Sequence, residues 1–249
     1  MRQPTVEQPC LFCLRVGQEP SVEHVIPAAF GRHADAVLPL GAVCRACNNH
    51  LGRQVDEALV HLFEVQFIRG LYRIPDADGR RIRQIPVRDG RLEFPDDGEP
   101  AVQVTVFRDA ALEEKDARTI AVSMALQRRR LGDQWRRAVR AVLKLGLCLL
   151  HYGKGAEAAL SSEWNPVRRA VYGEPYTGYV LLGPFDVFKP PDLRADVQFD
   201  IPGAKTIARL RFGGFEAMTD LGLGPVSEET RAWAVEQGFR VMEIAPVGT

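Results

Sequence analysis

The chain has no net charge: across 249 residues, 32 Lys and Arg offset 32 Asp and Glu. A protein that holds nucleic acid by bulk electrostatics is basic overall, so any such binding here must use local patches. No apolar run reaches the length of a membrane span; the longest candidate, 145–150, covers about one and a half helical turns. The N-terminal Met1-Arg2-Gln3-Pro4 lacks the apolar core of a secretion signal. There are no internal repeats and no low-complexity segments. Cysteine is scarce, at five, and the odd one, Cys148, argues against a secreted disulfide framework. These absences point to a soluble cytoplasmic protein with no membrane contact. Asparagine is scarcer still: three residues, of which Asn48 and Asn49 are adjacent. Apolar content is not lacking. At 46% it is enough for a sizeable core and excludes wholesale disorder.

The other four cysteines form two Cys-x-x-Cys pairs, Cys10/Cys13 and Cys44/Cys47, that bracket 30 residues. Each pair is a tight turn that aims two thiolates at one point, and two such turns supply the tetrahedral sulfur site that Zn²⁺ favours. Two redox dithiols are the competing reading, but the second pair runs straight into a helical pattern, as in zinc-knuckle folds. Cys148, within Leu-Cys-Leu-Leu, reads as core.

Inside the bracket lies Glu23-His24-Val25-Ile26-Pro27, and the second pair leads into Asn48-Asn49-His50. Imidazoles titrate near neutrality and can take a proton from water. A carboxylate one residue earlier can bind a hard cation, and Asn48 offers a carbonyl oxygen. Zinc would fix the spacing between His24 on its strand and Asn48 on its helix.

Cys-x-x-Cys, Glu-His-x-Ile-Pro and Cys-x-x-Cys-Asn-Asn-x-x-Gly, taken together over about 10–56, resemble the HNH endonuclease family in its four-cysteine branch. The stretch Lys144 to Tyr172, with Trp164-Asn165-Pro166-Val167-Arg168-Arg169, is similar to the C-terminal part of longer members of that branch. The resemblance implies a ββα-metal (His-Me finger) fold that cuts DNA, taken as double-stranded, with one divalent ion, Mg²⁺ or Mn²⁺. Carried onto this chain, it makes His24 the general base, Glu23 a ligand of the catalytic ion and Asn48 the second ligand. His50 is an alternative ligand or an exposed helix histidine. Asn49 and Asp56 share a helix face and either support the site or supply N-terminal helix polarity. One departure stands out: no Asn lies between Pro27 and Cys44 to orient the base, so Asp35, His33, Asn49 or a backbone carbonyl would have to. The resemblance also implies relatives in bacterial antiviral defence, some paired with an ATPase or a sensing subunit. Two other functions stay open: a catalytically silent zinc module that binds DNA or protein, and a nuclease subunit active only in a complex.

The expected architecture is α+β: residues 1–72 as the zinc-stapled nuclease module, 73–84 as an Asp/Gly/Arg-rich linker, and 85–249 as a mixed α+β domain for substrate or partner binding. In the first part a strand is expected at 23–26 and a helix from 48 to about 68. Beyond it, Asp89-Gly90 predicts a hairpin over 85–94, followed by a strand at 101–107 and a helix at 109–130. A second helix, N-capped by Asp133, sets Trp135, Val139, Val142 and Leu149 on one face. A short helix over 164–172, strands at 179–187, 197–201 and 206–212, a Ser227-capped helix and a strand at 239–244 complete it. Phosphate contacts need clustered Arg and Lys. Arg32, Arg45 and Arg53 lie in the first part; Arg128 to Arg130, the face Arg136, Arg140 and Lys144, and Arg168 with Arg169 lie later. Lys144 borders an apolar run and so needs a carboxylate or a phosphate, unless it snorkels. His61 and His151 read as ordinary packed histidines.

Overall fold

The computed structural model describes residues 8–30, 36–76, 78–87, 90–106, 133–186, 189–190 and 192–245. Arg32, His33, Asp35, Asp89 and the helix expected at 109–130, with Arg128 to Arg130, lie outside them.

After the first cysteine turn, β1 (Pro20–Ser21) pairs antiparallel with β2 (Val43–Cys44), and β2 runs directly into α1 (Arg45–Leu51). The strand expected at 23–26 is reduced to one bridge, His24 to Val37. Around it the Val25 N–H donates to Ala36 O at 2.8 Å and the Leu38 N–H donates to Glu23 O at 2.9 Å. Pro27, which has no N–H to continue a ladder, leads into a 3₁₀ turn at Ala28–Phe30.

The helix expected at 48–68 starts earlier and comes in pieces. A π-turn, Gly52–Asp56, follows α1; then comes α2 (Glu57–Val60), and Leu62 adopts an extended ψ of 138° before α3 (Phe63–Leu71). Leu59 and Leu62 belong to the main core; beyond the break α3 faces two ways, with Val65 and Ile68 in the main core and Phe63, Phe67 and Leu71 packed with Ile85, Leu92 and Phe94 in a second cluster. Gly70 lets α3 close on that second cluster, since a Cβ there would lie 2.5 Å from the Phe94 ring.

The second cluster is covered by an antiparallel sheet of β3 (Gln84–Val87), β4 (Gly90–Glu93) and β5 (Gln103–Val106), the expected hairpin plus one strand. Then follow α4 (Asp133–Lys154), α5 (Ala156–Leu160) and α6 (Asn165–Val171). A five-stranded antiparallel sheet is built from β6 (Gly178–Leu182), β7 (Leu193–Gln198), β8 (Ile207–Phe212), β9 (Phe215–Asp220) and β10 (Arg240–Ile244), in the order β10-β6-β9-β8-β7. The expected strand at 197–201 therefore runs 193–198. The unexpected β9 folds back on β8 through Gly213-Gly214, a dipeptide suited to a tight hairpin. Helix α7 (Glu228–Glu236) carries its expected cap: Ser227 Oγ accepts from the Thr230 N–H at 3.0 Å.

Helix α4 joins the two halves of the chain. Gly146 brings it against β8, where a Cβ would sit 2.6 Å from that of Ala208. One hydrophobic cluster runs from Leu11, Val43, Leu51 and Leu59 through Val142 and Leu147 to Leu210, so residues before and after 73–84 share a core. The content is mixed helix and strand. Among the described residues no helix is long and apolar enough to cross a membrane.

Candidate functional site

The first turn of the chain and the β2–α1 junction bring four thiols together. The sulfurs of Cys10, Cys13, Cys44 and Cys47 all lie within 4.8 Å of one another, and Cys13 and Cys44 are 3.9 Å apart. A tetrahedral zinc with bonds of about 2.3 Å needs sulfurs about 3.8 Å apart, so the residues fit that ion. The Cys10 thiol is held down at about 4: the Cys47 thiol donates to it, and backbone N–H groups of Cys13, Cys44 and Phe12 outweigh its burial. Cys47, the donor, is pushed up by that same bond and by burial. From the far end of α6, the Tyr172 O–H donates to Cys47 Sγ at 2.9 Å. Cys148 lies outside the group, fully buried, with its thiol raised by desolvation, as a core residue should be.

Arg168 reaches the same corner, though not as the surface cation expected. It is buried; its Nε donates to Leu11 O at 2.7 Å and its Nη1 to Ser161 O at 3.1 Å and Asn165 Oδ1 at 2.8 Å, with Nη2 on Ala159 O. It therefore ties the first cysteine turn to the helical C-terminal half. Arg169 is exposed and pairs with Glu174 at 3.3 Å.

A second charged group lies behind the Glu23-His24 turn. Lys144 is 4% exposed and Glu23 3%. The Lys144 Nζ lies 2.7 Å from Glu23 Oε1 and 2.5 Å from Asp56 Oδ2. This corrects the placement of Lys144 on a phosphate-binding face: α4 turns it into the core, where two carboxylates satisfy it. Asp56 comes from the π-turn, whose wider register presents it to α4 while Val55 stays buried. Burial raises the pKa of both carboxyls against the pull of Lys144. Burial would lower Lys144, but Asp56 and then Glu23 outweigh it and hold the ammonium above its ordinary value. With both carboxyls ionised, two carboxylates against one ammonium would leave the group with one net negative charge.

In front of that group is a cleft of about 370 Å³, lined among others by Glu23, His24, Asn48, Asp56, His61 and Arg69. His24 is exposed at its wall. Asn48 is anchored by its Nδ2, which donates to Val22 O at 2.7 Å and Ser21 Oγ at 3.2 Å, so its carbonyl oxygen is the atom for a cation. Glu23, His24, Asn48 and Asp56 thus all line this cleft.

Other expected residues are not in this cleft. Asn49 and His50 are exposed and do not line it; one and two positions past Asn48, helical geometry turns them about 100° and 200° away. His50 stacks on Tyr172 instead, with ring centroids 5.6 Å apart, which removes it as a ligand beside Asn48. Arg45 is exposed and pairs with Glu19 at 2.8 Å, and Arg53 is exposed. Arg136 and Arg140 are half-buried, with Arg140 packed over Gly173, away from the cleft. Conversely, His61, expected to be packed, is exposed on the cleft wall at the helix break, and Arg69 is a lining residue that the pattern of α3 gave no role.

Residues 10–64 match the model of a family described as HNH endonuclease. No curated protein and no solved structure matches the chain. The matched segment holds the four cysteines, Glu23, His24, Asn48 and Asp56, and ends before Arg69 and Lys144. It is similar to nuclease-type hydrolases, a family that implies DNA as the substrate.

Proposed function

We propose that this protein is a metal-dependent endonuclease that hydrolyses DNA phosphodiester bonds, with residues 1–72 as a zinc-stapled ββα-metal module. The observation that carries this reading is the convergence of His24, Asn48 and the Glu23/Asp56 pair on one open cleft beside the four-thiol site.

The donor set suits a hard divalent ion. Mg²⁺ takes one or two carboxylates and keeps several waters. Glu23, Asp56 and the Asn48 carbonyl oxygen would hold Mg²⁺ or Mn²⁺, drawn by the net negative charge left over after Lys144. When bound, the ion supplies positive charge against the phosphate oxygens. The chain's own part is proton transfer and alignment. His24 accepts a proton from water as its oxygen bonds to phosphorus; the bond from phosphorus to the 3′ oxygen breaks, and that oxygen takes up a proton from solvent. Products are a 5′ phosphate and a 3′ hydroxyl. With no central Asn in the motif, the His24 backbone is fixed by its bridge to Val37 and the two backbone hydrogen bonds on either side. Arg53, exposed on the same segment, is proposed as a backbone-phosphate contact. The defence setting and an ATPase or sensor partner rest on the resemblance alone.

Plasmid cleavage with Mg²⁺ or Mn²⁺, run beside His24→Ala, tests the reading. We expect nicking or cutting by the wild type that falls at least about 100-fold in the variant, the range general-base loss gives. Cutting that survives in the variant removes His24 as the base. No cutting by the purified wild type favours the silent zinc module or a partner-dependent enzyme.

A further inference from the structure

Arg69 is out of place for a residue of the core. It sits in α3, a helix buried on almost every side, and is itself 5% exposed. Its Nε is buried with no hydrogen-bond partner. Burial lowers its pKa, and the carboxylate that opposes this, Asp76, is committed elsewhere. Asp76 Oδ1 accepts from the Asp78 and Arg80 N–H groups at 2.9 Å each, and its Oδ2 from Arg80 Nε at 3.1 Å. A buried guanidinium left in this condition is costly, and the usual remedy is an anion with oxygens for its fork of donors. The side chain lines the same cleft as His24, Asn48 and Asp56; of the carboxylates there, Glu23 and Asp56 face Lys144, Asp76 pairs with Arg80, and Glu57 is exposed to solvent.

We propose that Arg69 is the phosphate-binding residue of this cleft, contacting a non-bridging oxygen of the DNA phosphodiester held in front of His24. The assignment rests on the nuclease reading above and adds to it a residue beyond the segment that matches the family. Arg69 supplies two N–H groups to a phosphate oxygen pair, which an ammonium cannot do. It adds positive charge to a cleft whose lining includes Glu23 and Asp56. The phosphodiester is thereby held between a cation of the chain and the expected ion site.

The test uses the full chain. In ¹⁵N-labelled His24→Ala protein, the Arg69 Nε–H resonance is followed as a short DNA duplex is added with Mg²⁺. It shifts, while that of Arg168, already bonded to the Leu11 carbonyl, does not. In parallel, Arg69→Lys is compared with wild type for melting and for kcat/KM; we expect melting within a few degrees and a loss of about tenfold or more in kcat/KM, because lysine keeps the charge without the fork. An unmoved Arg69 resonance, or cutting at the wild-type rate by Arg69→Lys, overturns the proposal. If the wild type cuts DNA and either result is found, only this proposal fails. If the wild type neither cuts nor binds the duplex, both readings fail. Binding with a shifted Arg69 resonance but without cutting keeps the phosphate site and removes the nuclease that acts alone, in favour of the silent module or the partner-dependent enzyme.

Discussion

The four-thiol site and the Glu23–Lys144–Asp56 group lie close together, and they are written into the chain in different ways. The thiols are local: all four come from the first 47 residues, one pair on a turn and the other at the β2–α1 junction. The acid–lysine group draws on the Glu23 turn, the π-turn and the middle of α4, and Lys144 is 88 residues from Asp56. The first, with zinc bound, would be held by metal bonds that need only correct spacing. The second exists only once α4 has docked, and its stability is a small difference between desolvation and attraction. The comparison teaches that the donors of the thiol site come from the N-terminal segment alone, whereas the acidic side of the cleft depends on the C-terminal half of the chain.

Metal removal should break that comparison most strongly. A structural zinc contributes about 10–16 kcal/mol of apparent binding energy, as large as or larger than the 5–15 kcal/mol of net stability of an ordinary domain. A strong chelator, or Cys44→Ser, should therefore release zinc, measured by elemental analysis, and unfold the β1–β2–α1 unit, seen as a loss of far-UV ellipticity and as rapid proteolysis. An unchanged melting temperature after zinc loss would mean that α4 and Arg168, rather than the metal, hold this unit.

Next in size is Lys144→Met, which leaves the buried Glu23 and half-buried Asp56 carboxylates without their cation. Removing one partner of a buried ion pair typically destabilises by about 3–5 kcal/mol, and urea denaturation should show a loss of that order. Adding Glu23→Gln and Asp56→Asn to the same variant should restore much of it. The pH dependence has a definite sign. Because Lys144 is held above its ordinary value in the folded state, its contribution is complete below the unfolded lysine pKa of about 10.4 and is lost as pH rises beyond it. From there upward the wild type should lose stability faster than Lys144→Met, by at most about 1.4 kcal/mol per pH unit. Equal alkaline slopes would show that the ammonium is not what the folded state holds.

The same contrast explains what could be read from the sequence. The cysteine spacing gave the metal site because chelation restricts spacing. Glu23, His24 and Asn48 could be grouped because the zinc turns fix the strand and helix that carry them. Lys144 could be recognised as needing a partner, since a lysine beside an apolar run is anomalous, but nothing in the pattern said that the partners were Glu23 and Asp56. Of the two readings of His50, the exposed helix histidine is the one the geometry fits, because adjacency in sequence is not adjacency on a helix. Arg69 was missed because it sits within an apolar helical pattern, although a charged residue in a helix buried all round was itself the available signal. In the fold, the break at His61 and Leu62 was hidden because both sides of it keep helical periodicity. β9 went unread although Gly213-Gly214 marks its hairpin.

The smallest expected effect separates support of the metal from support of the fold. Tyr172 crosses from α6 to donate to Cys47 Sγ, and it is itself 39% exposed, so its hydroxyl adds little to folding. Tyr172→Phe should change stability by no more than about 1 kcal/mol, the usual net value of one hydrogen bond. Groups that hydrogen-bond to metal ligands nonetheless tune affinity, commonly by about 10- to 100-fold, and a partly solvated donor belongs near the lower end. In competition with a colorimetric chelator the variant should therefore give up zinc about tenfold more readily while melting almost as the wild type does. If zinc affinity is unchanged but the melting temperature drops by many degrees, Tyr172 is a packing contact between α6 and α1, and the C-terminal half reaches the thiol site through Arg168 alone.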